Sequence, residues 1–155
     1  MPNTSRPARP ARPALPLADA SLAGAPPDPR QALGALGERV AERWLVARGW
    51  RVLARRFRSG HRDLDLVVAA PGLVAFVEVK SRRAPAGGGS FADPLEAVHW
   101  RKRRELVRSA QVWIARHGVP GTAYRFDVVG VAFGPGARPA VRVRHVADAF
   151  QVADG

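Results

Sequence analysis

At two places along this chain, apolar residues recur among polar ones with the spacing of an amphipathic helix. Between residues 32 and 48, apolar residues recur every three or four positions, which predicts an amphipathic helix that ends before Gly49. A second helix is predicted over residues 93–116, with Gly118 closing it. Its start has an Asp at the N-cap, a Pro at the first position and a Glu at the third, which are the residues that begin helices.

Five further stretches have the patterns of β-strands. The stretch 73–80 is apolar on both faces apart from Glu78 until it ends in Lys80, which is typical of a central strand. It follows the stretch 62–69 after Pro71 and Gly72, a turn signal that joins the two as a hairpin. The predicted strands are residues 50–57, 62–69, 73–80, 124–133 and 141–146.

This hairpin predicts a close pair of acids. With the turn centred on Pro71-Gly72, Asp65 faces Glu78 and Asp63 faces Lys80, all on one face. Opposed Cβ atoms lie about 4.5–5.5 Å apart, a distance at which two carboxylates repel each other unless a cation neutralises them. The pair therefore indicates a divalent metal site, because Mg²⁺ takes oxygen ligands. A three-residue loop, the alternative turn, would shift the pairing and break this arrangement.

Four charged residues beside apolar positions have two interpretations each. Glu78 is either paired or metal-bound, or an ordinary charge where its strand leaves the core. Glu38, at the margin of the first helix's apolar stripe, either leans toward the sheet or is a surface acid near a helix start. Lys102, inside the second stripe, either snorkels or meets a carboxylate or a phosphate. Asp127 is either a further ligand or the partner of Arg125 or of a basic strand.

Composition narrows the classes of function. The formal net charge of +12 rests largely on arginine and favours a polyanionic partner such as nucleic acid, although coding bias is an alternative source of arginine. Arginines of the first predicted strand are candidate phosphate contacts. The chain has no cysteine, four scattered histidines and no Gly-x-Ser-x-Gly motif, which disfavours a disulfide framework, a zinc site and an acyl-transfer triad. Its apolar runs are too short for a membrane span, so we expect a cytoplasmic protein without a membrane partner.

The organisation along the chain is simple. Residues 1–30, rich in Pro, Ala and Arg, predict a disordered tail; residues 31–150 predict one domain; and residues 151–155 form a C-terminal tail. The basic, glycine-rich stretch 81–92 lacks the Gly-Lys-Ser/Thr ending of a nucleotide-binding loop. It is either a substrate clamp or a flexible linker.

A set of ordered motifs over residues 33–150 resembles the bacterial YraN family, which is similar in its core to archaeal Holliday-junction resolvases and other PD-(D/E)XK nucleases. The motifs are Leu36-Gly37-Glu38, Asp65-Leu66-Val67, Phe76-Val77-Glu78-Val79-Lys80-Ser81-Arg82, Lys102, Arg125-Phe126-Asp127-Val128-Val129 and His145-Val146-Ala147-Asp148-Ala149-Phe150.

The resemblance implies a restriction-endonuclease-like α/β fold, with a mixed central β-sheet flanked by α-helices. It also implies a metal-dependent endonuclease acting on branched or structured DNA, and a homodimer. Asp65, Glu78 and the carbonyl of Val79 would hold Mg²⁺ or Mn²⁺, and Asp65, Glu78, Lys80 and Glu38 would form the catalytic set. The expected DNA contacts are Lys102, Arg82, Arg83, Arg101 and Arg104.

The sequence departs from the family pattern at two places. Arg62-Asp63 stands where relatives typically have Gly-Glu, and Arg56 stands where an asparagine is usual. These departures keep two other hypotheses open. The first is a nucleic-acid-binding module that keeps a nuclease scaffold without turnover, and the second is an interaction protein whose basic faces meet an acidic partner.

Overall fold

A computed structural model describes residues 28–85 and 93–151. They form one five-stranded sheet in the order β1-β2-β3-β4-β5, with a helix on each face. All neighbouring strands are antiparallel except β3 and β4, which are parallel and connected through the second helix. The predicted mixed α/β sheet is confirmed. The elements are α1 (Pro29–Val46), β1 (Arg51–Ser59), β2 (Arg62–Ala70), β3 (Leu73–Arg83), a 3-10 turn (Pro94–Ala97), α2 (Trp100–His117), β4 (Ala123–Phe133) and β5 (Val141–Phe150).

Two apolar layers hold the helices against the sheet. Ala41 and Leu45 of α1 pack on one face, while Leu106 and Trp113 of α2 pack on the other. Both layers share β3, whose residues from Val74 to Val77 are all buried. The prediction of a central, two-sided strand is therefore confirmed. In the described ranges, no helix combines the length and apolar character needed to cross a bilayer.

The hairpin between β2 and β3 has the predicted register. Ala70 pairs with Leu73 and Leu66 pairs with Val77, so the loop consists of two residues. Gly72 takes a φ of 70°, a left-handed conformation that glycine adopts without strain. The acids are thus brought to the end of the hairpin opposite the turn.

Helix α1 begins earlier than predicted. The carboxylate of Asp28 accepts a hydrogen bond from the N–H of Arg30 at 2.9 Å, and Pro29 occupies the first helical position. This cap places the start of the helix inside the stretch predicted as a tail. The rest of that predicted tail up to residue 27, the glycine-rich segment 86–92 and residues 152–155 lie outside the described residues.

The second predicted helix is two elements, so its predicted start was wrong. Asp93 opens only the 3-10 turn, and its carboxylate lies 3.3 Å from Arg144 of β5. Val98 then enters the core at 2% exposure, and His99 is extended, with a ψ of 157°. These tertiary contacts interrupt the chain, and α2 proper begins at Trp100.

Candidate active site

The site lies where β2 and β3 separate. Beyond the Leu66–Val77 pair, the carboxylate of Asp65 accepts a hydrogen bond from the backbone N–H of Val79, at 2.7 Å. In a strand, the N–H and C=O of one residue point to the same neighbour. The carbonyl of Val79 therefore also points toward β2, which makes it available as an oxygen donor beside Asp65.

Strands β1 and β2 are both irregular at the level of this gap. Leu66 belongs to the core layer under α1 and Leu64 to the layer under α2, although residues two apart normally share a face. On β1, Arg56 takes a φ of 44°, and its neighbours pair with Leu66 and Leu64. The irregularity is thus centred on Asp65 and Arg56.

This irregularity corrects the predicted shared face. Asp65 turns toward the backbone of Val79 instead of standing squarely opposite Glu78. Asp63 lies 3.8 Å from Arg58, and the ammonium of Lys80 binds Glu78 instead of Asp63. The register was predicted correctly, but the side-chain directions at its end were not.

Glu78 is the buried centre of the site, at 3% exposure. Its Oε1 accepts a hydrogen bond from Lys80 Nζ at 2.7 Å, and its Oε2 lies 3.3 Å from Lys102 Nζ. The Lys102 contact is an ion pair without hydrogen-bond geometry, so Oε2 is buried with no hydrogen bond from the described residues. Two ammonium groups therefore compensate one carboxylate, and the open alternative for Lys102 is resolved in favour of a site carboxylate.

The acids of the site act on one another. Burial, reinforced by the neighbouring Glu78 carboxylate, raises the pKa of Asp65 to about 7. The hydrogen bond from Val79 and the positive charge of Lys102 lower this pKa, and the charge of Glu38 raises it. Asp65, Glu78 and Glu38 therefore form one electrostatic cluster, contributed by β2, β3 and α1.

Glu38 reaches this cluster but is bound by an arginine. Arg56 Nε and Nη2 donate to its two carboxylate oxygens at 2.7 and 3.2 Å. One helical turn later, Glu42 binds Arg55 in the same forked manner. The positive φ of Arg56 lets two consecutive strand residues both reach α1. These two guanidinium groups, predicted as phosphate contacts, are held by acids in this structure.

Gly37 sets the distance between α1 and β3. A Cβ built at this position would overlap Ser81 Oγ and lie 2.8 Å from Ser81 Cβ, so only glycine allows this approach. Because Glu38 follows Gly37 directly, the close contact brings its carboxylate to the edge of the sheet. Of the two interpretations of Glu38, the structure therefore favours the one in which it leans toward the sheet.

The donor set suits a hard divalent cation. In residues 28–85 and 93–151, no three His, Asp or Glu side chains are close enough together to hold a metal. Two carboxylates and one carbonyl remain, all oxygen donors, and one carboxylate oxygen accepts no hydrogen bond from the part of the chain that the structure describes. Mg²⁺ commonly takes one or two protein carboxylates and fills its other positions with water and phosphate. Asp65, Glu78 and the Val79 carbonyl fit that pattern.

The predicted DNA contacts lie around this edge of the sheet. Arg82 is half-buried and Arg83 exposed at the end of β3, shortly after Lys80. Arg101 and Arg104 stand in the first turns of α2, within 5.4 and 5.8 Å of the Trp100 ring. Sequence reasoning missed Trp100, although its position in the basic run Trp100-Arg101-Lys102-Arg103-Arg104 was a readable signal.

Asp127 is a pairing acid on the α1 side of β4. Its carboxylate accepts hydrogen bonds from Arg125 at 3.0 Å and from the N–H of Asp148 at 2.9 Å, and lies 2.8 Å from His145 Nε2. Burial alone would raise the pKa of Asp127, but these hydrogen bonds outweigh it and lower that pKa. The alternative that Asp127 is a metal ligand finds no support in this geometry.

A cleft of about 510 Å³ lies at the opposite end of the sheet, beside the hairpin turn. Trp113, His117 and Tyr124 line it, and the described residues around it include no carboxylate. It is larger than the groove of about 270 Å³ that contains Asp65 and Glu38. We place the chemistry beside the smaller groove, because Asp65 and Glu38, two acids of the electrostatic cluster, line it.

The sequence is similar to proteins of one family. The family described as "Uncharacterised protein family UPF0102" matches residues 37–131 of this chain. That span contains the acids of the electrostatic cluster, both lysines and Asp127. A UPF0102 protein from Anaeromyxobacter dehalogenans is 44% identical over 131 residues, covering 84% of this chain and 92% of that protein. One from Nocardia farcinica is 43% identical over 112 residues, covering 72% and 85%. STH1475 of Symbiobacterium thermophilum is 42% identical over 120 residues, covering 76% and 95%.

Proposed function

The chain belongs to Uncharacterised protein family UPF0102, the YraN family predicted from its motifs. From that membership and the buried acid cluster, we propose that it is a metal-dependent endonuclease-like protein that hydrolyses phosphodiester bonds in branched or structured DNA. One observation carries the proposal. Glu78 is buried between two lysines. It lies where the backbone pairing of β2 with β3 ends and the Asp65 side chain accepts the hydrogen bond of the Val79 N–H instead. Burying a carboxylate with two ammonium groups costs desolvation free energy, and such buried charges are typical of functional sites.

In this proposal the residues of the gap have separate tasks. Asp65, Glu78 and the carbonyl of Val79 hold Mg²⁺ or Mn²⁺, which when bound polarises the phosphate and lowers the pKa of the attacking water. Lys80, already aimed into the site by Glu78, orients that water or stabilises the charge that develops on the phosphate. Glu38 completes the acid set from α1.

The basic residues bind the substrate backbone. Lys102 brings an ammonium group to the site itself, while Arg82 and Arg83 extend positive charge along the end of β3. Arg101 and Arg104 continue it onto α2. Contacts of this kind position nucleic acid and weaken as salt rises. The predicted homodimer and cytoplasmic location remain predictions.

Incubation of the purified full-length chain with junction, flap and duplex DNA in Mg²⁺ or Mn²⁺ tests the proposal. We expect cleavage of the branched substrates, reduced by about a hundredfold or more in Asp65→Asn and Glu78→Gln. Glu42→Gln is the matched control, because Glu42 lies on α1 one turn beyond Glu38, binds Arg55 and is not part of the proposed catalytic set. Absence of cleavage, or cleavage unaffected by the two site variants, would contradict the enzymatic function.

A second candidate is a nucleic-acid-binding protein that keeps the scaffold without turnover. The forked bond from Arg56 to Glu38 favours it, because it ties the third acid of the cluster to a guanidinium group. DNA binding that persists in a chelator and in both site variants, without cleavage under any of these conditions, would identify this function.

A further inference from the structure

Trp100 is an exposed aromatic side chain on the basic surface. It is the first residue of α2 and remains 61% exposed, although an indole gains more than most side chains from burial. The guanidinium groups of Arg101 and Arg104 lie 5.4 and 5.8 Å from its ring centroid. A large ring left in solvent near two cations indicates a ligand that is both flat and anionic.

The outer face of α2 continues from this ring as a basic stripe. Trp100, Arg104 and Arg108 recur every four residues, so they lie above one another on one face, and all three are exposed. The buried residues of α2, Leu106 and Trp113 among them, lie on the other side. Along its whole length α2 has six Arg or Lys residues and one acid, which matches a polyanion and not an apolar protein partner.

The stripe leads into a groove between α2 and the end of β5. The groove has a volume of about 390 Å³, and the Arg103 guanidinium lies 5.4 Å from the Phe150 ring at its wall. Its wall also includes amide side chains, which are donors and acceptors for phosphate and base edges. The residues that line it include Arg103, Arg104, Arg108, Gln111, Phe150 and Gln151.

We propose that Trp100 stacks on an unpaired nucleobase while Arg104 and Arg108 hold phosphates of the same strand as it runs toward this groove. The bases of a continuous duplex are already stacked on each other and offer no free face, so the preferred ligand has single-stranded nucleotides. The inference rests on the proposed function only in taking nucleic acid as the ligand. This inference narrows the expected ligand from structured DNA in general to DNA with unpaired arms or ends.

Fluorescence anisotropy of the full-length chain in EDTA, where cleavage does not interfere, tests this inference. The probes are a labelled single strand, the matching duplex, and a duplex with single-stranded arms. We expect Trp100→Ala to bind the single strand and the armed duplex roughly tenfold more weakly, with Trp100→Phe close to wild type and the plain duplex unchanged. Val119→Ala is the matched control, since Val119 is also apolar and 64% exposed but lies at the other end of α2.

Two further measurements separate stacking from charge. Abasic sites in the single strand should weaken wild-type binding but leave Trp100→Ala unaffected. Arg104→Ala and Arg108→Ala should weaken binding to all three probes and each reduce the slope of log affinity against log salt by about one. Equal losses for duplex and single strand in Trp100→Ala, or wild-type affinity of Trp100→Ala for every probe, would overturn the inference. Absence of cleavage leaves this result untouched, since binding is measured without metal.

Discussion

At the scale of the residue, Asp127 shows how this protein stabilises a buried charge. Its side chain has no exposed surface, yet Arg125, His145 and a backbone N–H all lie within hydrogen-bonding distance of it. A carboxylate whose pKa is lowered on folding contributes stability above its unfolded pKa of about 4, and that contribution is lost as pH falls through the folded pKa. Because Asp127 lies on β4 and its partners His145 and Asp148 lie on β5, protonation of Asp127 should weaken the contact between these two strands.

We expect Asp127→Asn to destabilise the fold by about 3–5 kcal/mol at neutral pH, because it leaves Arg125 without its counter-charge in a buried setting. Urea denaturation at several pH values measures this. The wild type should lose stability as pH falls below about 4, and the variant should show a flatter dependence over that range. Asp93→Asn, which removes a half-exposed acid 3.3 Å from Arg144, should cost less than about 1 kcal/mol. Equal effects of the two changes would contradict this account.

The residues of the site differ in how far the sequence could reveal them. Asp65, Glu78 and Lys80 follow from alternation and a two-residue turn, which are local signals. The bond between Glu38 and Arg56 does not, because it depends on a positive φ at an arginine, a conformation that sequence pattern does not predict for that residue type. Lys102 meets Glu78 only once α2 packs on the sheet, so the sequence alone left its partner open.

At the scale of the element, the contact between α1 and β3 is the most sensitive. Gly37 and Gly34 are both interior glycines of α1, but Gly37 faces Ser81, whereas no described residue lies within 4 Å of a Cβ at Gly34. The two positions therefore separate helix propensity from packing.

We expect Gly37→Ala to lower the free energy of unfolding by about 1–3 kcal/mol, because the helix must move away from the sheet. Gly34→Ala should instead raise it by about 0.5–1 kcal/mol, since alanine favours the helix and meets no neighbour. Chemical denaturation measures both changes. A stabilising effect at both positions would show that α1 does not approach β3 as closely as described.

Element boundaries illustrate what sequence could not provide. The hairpin register and the positions of the five strands were predicted because their signals are local, although β3 continues to Arg83, into the predicted loop, and β5 continues to Phe150. The interruption after Ala97 was not, because it results from burial of Val98 and from the ion pair of Asp93 with a strand some fifty residues later. Helix-start residues at Asp93 and Pro94 were read correctly as a start, but of a single turn.

At the scale of the whole molecule, the arginines differ in what they contact. Arg55 and Arg56 of β1 are bound to acids of α1, whereas Arg104 and Arg108 lie exposed on the outer face of α2. The net charge of +12 suggested a polyanionic partner but not which surface would meet it. Only the packed structure distinguishes the arginines that are paired with acids of α1 from those on the outer face of α2.

The single parallel pair in the sheet has a consequence for the order of folding. β1, β2 and β3 are joined by short turns, but β3 and β4 pair only after α2 has crossed the sheet. Contacts close in sequence generally form before distant ones, because closing a long loop costs more entropy. Glu78 should therefore enter the early hairpin while Lys102 is still undocked, with Lys80, two residues away, as its first cation. Pulsed hydrogen exchange during refolding should show amides of β2 and β3 protected before those of β4. Earlier protection of β4 would reverse that order.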